Sequence, residues 1–248
     1  LYSADFFSGG NSPVAYSDYR ALEDVMAFNF KRLLDKTGVP AALAPGAVVL
    51  DIGGASGVFG RILGDSMRVI VMDVVADILP KGGRVHGVVG DAIALPFQDS
   101  IVDAVLFWSS VEHFADPVAA LREAARVVKP GGFLVVYTDD VESLSARLLG
   151  SYWWSVVPPY HPVLPSRRGL TAAMRTAGFS EPRFAVLSKI FPVSEIAERF
   201  VMAYGWTFMK RISKIRWLSR IWVPATNGGT VIAWSVRDPA GKTAGHVV

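Results

Sequence analysis

Three acidic residues stand at or just past the ends of short apolar runs: Asp51 in AVVLDI, Asp73 in RVIVMD and Asp91 after RVHGVVG. A single acid in such a place usually closes a strand or caps a helix. Three at consecutive strand ends on one side of a sheet make a set of acceptors. Asp73 can accept two ribose hydroxyls, Asp91 can accept from an adenine amino group, and Asp51 can face a positive group, so the trio reads as a nucleoside site beside a cation binder. The stretch VVLDIGGASGVFG joins them through a glycine turn, where Gly53, Gly54 and Gly57 supply backbone freedom and the room for a ligand to come close. A dinucleotide site would need G-x-G-x-x-G, which seats a pyrophosphate on a helix N-terminus. Counting from Gly53, the required positions hold Gly53, Ala55 and Val58, so a nicotinamide oxidoreductase finds no support.

These residues need a scaffold, and the chain supplies one in the order of its apolar runs. Residues 47–52, 68–73, 84–90, 101–108 and 132–138 are short and rich in Val, Ile and Leu, the pattern of buried strands. Helical patterns separate them. Over 116–128, Asp116 can cap, Pro117 suits the first helical position, and Leu121, Ala125 and Val128 share a face. Such alternation predicts an α/β fold with a parallel sheet covered on both sides. A leading helix is expected over 17–37, and beyond the fifth strand a helix at 167–177, a strand at 183–191, a mostly helical stretch at 193–223 and a last strand at 230–237. The 248 residues read as one domain: a helical segment over 1–46, a core over 47–138, and insertions at 139–165 and 192–229 that could cover the carboxyl ends of the strands.

Composition narrows the classes further. Hydrophobic residues make up 51% and charged residues 19%, too apolar for disorder, yet no apolar run reaches the ~18 residues of a membrane span. LYSADFFSGG lacks the pattern of a signal peptide, and the absence of cysteine excludes disulfides and thiolate chemistry. A cytoplasmic location is the expectation. The net charge of +3 hides an uneven distribution, with −6 over residues 1–150 and +9 over 151–248. Six of the seven tryptophans lie at or after Trp153. The segment FMKRISKIRWLSRIWV, residues 208–223, interleaves five cations with apolar residues, as a helix lying on an anionic membrane surface would, or as an ordinary covering helix with a charged outer face. There is no H-E-x-x-H, G-x-S-x-G or P-loop motif.

Five pieces, VVLDIGGASGVFG, VIVMD, GDAIALPFQDSIVDAVLF, WSSVEHFADPVAALREAARVVKPGG and LTAAMRTAGF, spread in order over residues 47–179. With them the chain resembles the class I S-adenosylmethionine-dependent methyltransferases, most nearly the small-molecule group that includes the quinone-biosynthesis enzymes. The resemblance implies a Rossmann-like, doubly wound, seven-stranded sheet whose last strand is antiparallel, with S-adenosyl-L-methionine as cofactor. It implies that Asp51, Gly53, Gly54, Ala55 and Gly57 run along the methionine part, Asp73 holds the ribose, Val74 packs on the adenine, Asp91 and Ala92 meet its edge, and Trp108 and Ser109 lie beside the sulfonium. Ala55 departs from the family's usual glycine and crowds the turn. The sulfonium methyl is already electrophilic, so the protein must chiefly align the acceptor and exclude water. A base is needed only where the nucleophile carries a proton, and His113, in the loop after the fourth strand, is the candidate. His161 and the pair Asp139 and Asp140 come second; two adjacent acids alone do not make a metal site, so no metal is expected. Tyr16, Tyr19, Trp153, Trp154 and His161, with Tyr160, Trp206 and Phe208, are candidates for the acceptor pocket. The acceptor is expected to be small and hydrophobic or lipid-like, methylated at oxygen, with peripheral membrane contact through 208–223 and no nucleic acid. An RNA methyltransferase and a non-catalytic cofactor-binding protein are the alternatives.

Overall fold

The computed structural model describes residues 23–82, 85–153, 155–186, 188–215, 217–225 and 229–239. Seven strands form the main sheet, in the order β3-β2-β1-β4-β5-β9-β6. Its parallel half is β1 (Val48–Ile52), β2 (Arg68–Asp73), β3 (Val85–Val89), β4 (Val102–Trp108) and β5 (Val128–Asp139). On the far side of β5, β9 (Thr230–Val236) runs antiparallel to it and pairs in turn with β6 (Arg183–Ala185). The expected sheet, with its antiparallel last strand, is the observed one.

Alternation along β1 sorts its side chains between two cores, because successive residues of a strand point to opposite faces. Leu50 and Ile52 join Met72, Phe107, Leu121, Leu134 and Met174 on one side. Val49 joins Leu34, Phe59, Val71, Leu106, Trp108, Tyr137 and Ile232 on the other. Helices cover both: α1 (Glu23–Thr37), the short α2 (Val39–Ala42), α3 (Val58–Leu63), α4 (Pro117–Val127), α5 (Leu144–Leu149) and α6 (Arg167–Thr176). Asp116 caps α4 as its type and position suggest, its Oδ1 accepting from the Ala119 N–H at 2.9 Å.

Three elements differ from expectation. β5 begins at Val128, not 132: Lys129, Pro130, Gly131 and Gly132 stay within the strand, across a shift of register against β4. Gly131 takes φ 79°, and a Cβ at Gly132 would stand 2.8 Å from the Asp103 carbonyl oxygen, which is why this irregular stretch needs glycine. The single strand expected over 183–191 is two. β6 stays in the main sheet, whereas β7 (Lys189–Pro192) leaves it and pairs antiparallel with β8 (Trp222–Ala225) in a separate two-stranded sheet. Asn29 fixes that departure, since its side chain donates to the Ile190 carbonyl and accepts from the Ile190 N–H, both at 2.7 Å. The helical stretch over 193–223 is broken into α7 (Val193–Tyr204), α8 (Met209–Ser213) and a 3-10 turn at Leu218–Arg220, so 208–223 is not one continuous amphipathic helix. Gly205, at φ 67°, ends α7.

Candidate active site

A cavity of about 500 Å³ opens where β1, β2 and β4 end. Asp51, the fourth residue of β1, is 1% exposed, and burial, with the charge of nearby Asp73 second, pushes its pKa up to about 7. Its Oδ1 has no hydrogen-bond partner among the described residues. A buried carboxylate oxygen left in this state is costly unless a cation meets it. The glycine turn is shaped around that carboxylate. Cβ atoms would overlap the Asp51 carboxyl at Gly54 and reach 2.6 Å from Ser110 Cβ at Gly53.

Asp73 ends β2 and lines the same cavity. Burial is the largest influence and raises its pKa, opposed by backbone N–H donors: Val75 to Oδ1 at 3.0 Å and Ala55 to Oδ2 at 3.2 Å. Each oxygen keeps a second lone pair for a ligand hydroxyl. Val74 and Ile93, 59% and 49% exposed, offer apolar surface on the cavity, the kind that accepts a flat ring. Asp91 and Ala92 line it too, Asp91 turned back to accept from the Ile93 N–H at 3.1 Å.

At the other end, Trp108 closes β4 and stacks on Tyr137, ring centroids 4.8 Å apart, with the edge of Phe59 at 4.7 Å and Phe30 at 5.0 Å. Ser109 follows at φ 50° and Ala55 sits at φ 47°. Both are left-handed conformations that cost a side-chain-bearing residue roughly 1–2 kcal/mol, and strain of this kind gathers where a site dictates the backbone. His113 lines the same end. Its Nδ1 lies 2.8 Å from the Tyr160 carbonyl oxygen, and the Ser109 backbone is a second hydrogen-bond partner of the ring. Burial lowers its pKa, against the pull of that carbonyl and of Asp139.

The structure thus brings together Asp51, Gly53, Gly54, Ala55, Asp73, Val74, Asp91, Ala92, Trp108, Ser109 and His113 around one cavity. Others it places elsewhere. Gly57 is not among the lining residues: at φ 78° it starts α3, where a Cβ would press on Val71 and Val85. Trp153 is buried away from the cavity, against Gly229, because a large ring in this insertion fills core instead of clamping a ligand. His161 stands behind the wall beside His113, ring centroids 4.7 Å apart. Asp140 is tied to Arg167 Nε at 2.8 Å and braces the start of α6. Trp206 and Phe208 stack on each other at 6.0 Å on the surface. Tyr16, Tyr19 and Trp154 lie outside the described residues.

Sequence reasoning missed part of the lining. Met26, Asn29 and Phe30 come from the cavity side of α1, and Lys189 and Phe191 from β7. Asn29 carried a signal, being a polar residue among the apolar positions of a helix. Lys189 carried none, since only the turn of β7 out of the main sheet brings it in. Its Nζ lies 4.8 Å from the centroid of the Tyr137 ring.

The donor set suits S-adenosylmethionine: an orphaned buried carboxylate for its positive groups, apolar faces at Val74 and Ile93 for adenine, and Asp73 for ribose hydroxyls. Comparison with known proteins agrees. A family model described as "Methyltransferase domain" matches residues 20–180. The ubiquinone/menaquinone biosynthesis C-methyltransferase UbiE of Shewanella halifaxensis is 31% identical over 172 residues, covering 62% of this chain and 68% of that protein. The same-named protein of Hahella chejuensis is 33% identical over 161 residues, covering 56% and 63%. Among solved structures, a Haemonchus contortus phosphoethanolamine N-methyltransferase 2, in complex with phosphomonomethylethanolamine and S-adenosylhomocysteine, superposes with TM-score 0.60 at 16% identity, covering 94% of this chain and 56% of that one. The [4+2]-cyclase SpnF superposes with TM-score 0.57 at 20% identity, covering 84% and 81%. At these identities the two structures attest to the fold alone. The family match, spanning well over half the chain, and the nucleoside cavity lead to one conclusion: this chain belongs to the methyltransferase-domain family and is a class I S-adenosylmethionine-dependent methyltransferase related to the quinone-biosynthesis group.

Proposed function

We propose that the enzyme methylates a small, largely hydrophobic acceptor of phenol or quinol type, held between His113, Phe30, Phe114, Lys189 and Phe191, with oxygen as the methylated atom. The single observation that supports this is the shared cavity: His113 lines the same space as the carboxylates that would hold the cofactor. When bound, S-adenosylmethionine supplies an electrophilic methyl on sulfur. Asp51 would hold its positive groups, Asp73 its ribose and Val74 its adenine face. His113 would take the acceptor's hydroxyl proton, the methyl would pass from sulfur to that oxygen with S-adenosylhomocysteine as the leaving group, and Trp108 and the aromatic rings behind it would keep water out.

A second reading, transfer to carbon, is favoured by the UbiE relatives, whose printed name is C-methyltransferase. The same base serves both, because a phenolate is nucleophilic at oxygen and at the neighbouring ring carbon. Incubation with methyl-labelled S-adenosylmethionine and a panel of demethylated quinols, read by NMR, separates an O-methyl from a C-methyl product. No labelled product from any quinol or phenol would refute the acceptor class.

The acceptor's greasiness goes with a further proposal, peripheral contact with an anionic membrane. Phe208, Trp217, Ile221 and Trp222 are 40–62% exposed beside Lys210, Arg211, Lys214 and Arg220. Exposed aromatics among cations suit a headgroup layer. None of the helices searched among the described residues is long and apolar enough to cross a membrane, so contact would be at the surface. Co-sedimentation with phosphatidylglycerol vesicles but not phosphatidylcholine ones is expected; equal recovery with both would count against it.

A further inference from the structure

We infer a binding site for a divalent transition-metal ion formed by Glu112, His113 and His161, between the cavity wall and the first insertion. A ligating atom of each residue lies within 4.8 Å of those of the other two. Atoms around one ion at about 2.1 Å stand roughly 3.4 Å apart, so the trio need close by about 1.4 Å at most. Two imidazoles and a carboxylate are a common donor set for zinc and its first-row neighbours, and a poor one for magnesium, which prefers oxygen.

Two further features point the same way. Both imidazoles have Nδ1 against a backbone carbonyl oxygen, His113 on Tyr160 and His161 on Ser155, each at 2.8 Å. For His161 this contact fixes the ring, as proteins usually do for metal-binding histidines, while His113 has the Ser109 backbone as a second partner. The second feature is charge. Glu112 is 2% exposed, and among the described residues no lysine or arginine forms an ion pair with it; its recorded partner is the Thr138 hydroxyl, which donates to Oε2 at 2.8 Å. Asp139 lies alongside, its carboxylate 3.9 Å from His161 Nδ1. Lys189 acts on Asp139, which leaves buried Glu112 beside the two imidazoles as the carboxylate a dication would offset.

Such an ion would clasp the insertion carrying His161 to the loop that carries His113, and so fix the acceptor wall of the cavity. It bears on the proposed function in one respect: an ion held by His113 would occupy that imidazole, so proton removal by His113 belongs to the metal-free protein.

The test is titration of the whole chain, freed of metal, with cobalt(II) alone, followed by visible absorption, with S-adenosylhomocysteine binding measured in parallel. One equivalent of cobalt should produce ligand-field bands that zinc then abolishes. His161→Ala and Glu112→Gln should each weaken cobalt binding at least tenfold, and His86→Ala, at an exposed position on β3, should not. Retained S-adenosylhomocysteine affinity in the two site variants certifies that they fold. Absence of bands from the wild type, or bands lost in His86→Ala but kept in His161→Ala, overturns the site. A wild type that binds S-adenosylhomocysteine but no cobalt would overturn the metal and leave methyl transfer standing.

Discussion

On the function proposed above, the cavity has a cofactor half and an acceptor half, built in different ways. The cofactor half comes from consecutive strand ends over residues 51–109, where Asp51 and Asp73 are each placed by their own strand and neighbours in register: Asp51 beside Val71 and Leu106, Asp73 beside Val89. The acceptor half comes from distant pieces. Asn29 reaches Ile190 across 161 residues, and His113 reaches Tyr160 across 47. The first half is therefore built into the sheet itself, while the second can change without disturbing the sheet. Cofactor chemistry is held by local geometry, and acceptor choice is delegated to what packs over it.

Damage to the two halves should separate cleanly, and the largest effect is expected in the first. Asp51→Asn removes the charge while keeping shape, and S-adenosylhomocysteine should bind about 30- to 100-fold more weakly by calorimetry. The same change should alter stability. With a folded pKa of about 7 against 3.8 unfolded, the folded carboxyl binds its proton more tightly, so cofactor-free stability rises as pH falls through 7. Denaturant titration of the wild type should show a gain of about 2–3 kcal/mol from this group between pH 8 and pH 5. Asp51→Asn should lack it, and an unchanged slope would mean that the carboxyl is ordinary.

Gly54→Ala sets a methyl against the Asp51 carboxyl and should cost about 1–3 kcal/mol of stability along with cofactor affinity. On the surface outside the cavity, Phe208→Ser with Trp217→Ser should reduce recovery on anionic vesicles by about 3- to 10-fold. Cofactor affinity should stay within about twofold, since neither residue lines the cavity. A joint loss would show that this surface is coupled to the cofactor half. The smallest effect is at Ala55. Glycine there relieves the left-handed strain at φ 47° and should stabilise by about 0.5–1 kcal/mol, raising Tm by roughly 1–3 °C in a thermal melt.

The same division explains what the sequence reveals. Strands β1 to β4 and the glycine turn are legible because apolar runs and an acid at each end are local patterns. The carboxylates at Asp51 and Asp73 follow from that, down to the wall they share. Lys189, Phe191 and the meeting of His161 with Glu112 and His113 are not legible, because they depend on β7 leaving the main sheet and on a loop folding back, neither of which has a periodic signature. Aromatic residues mislead for a related reason: Trp153 has the composition of a ligand clamp, yet burial against Gly229 makes it core.

The central claim, that buried Asp51 together with Asp73 receives an adenosyl sulfonium compound, is tested most directly by calorimetric titration of the wild type with S-adenosylhomocysteine and, separately, with NAD. One saturable site for the first ligand and none for the second is the result expected. Heat from NAD with none from S-adenosylhomocysteine at saturating concentration would contradict the account.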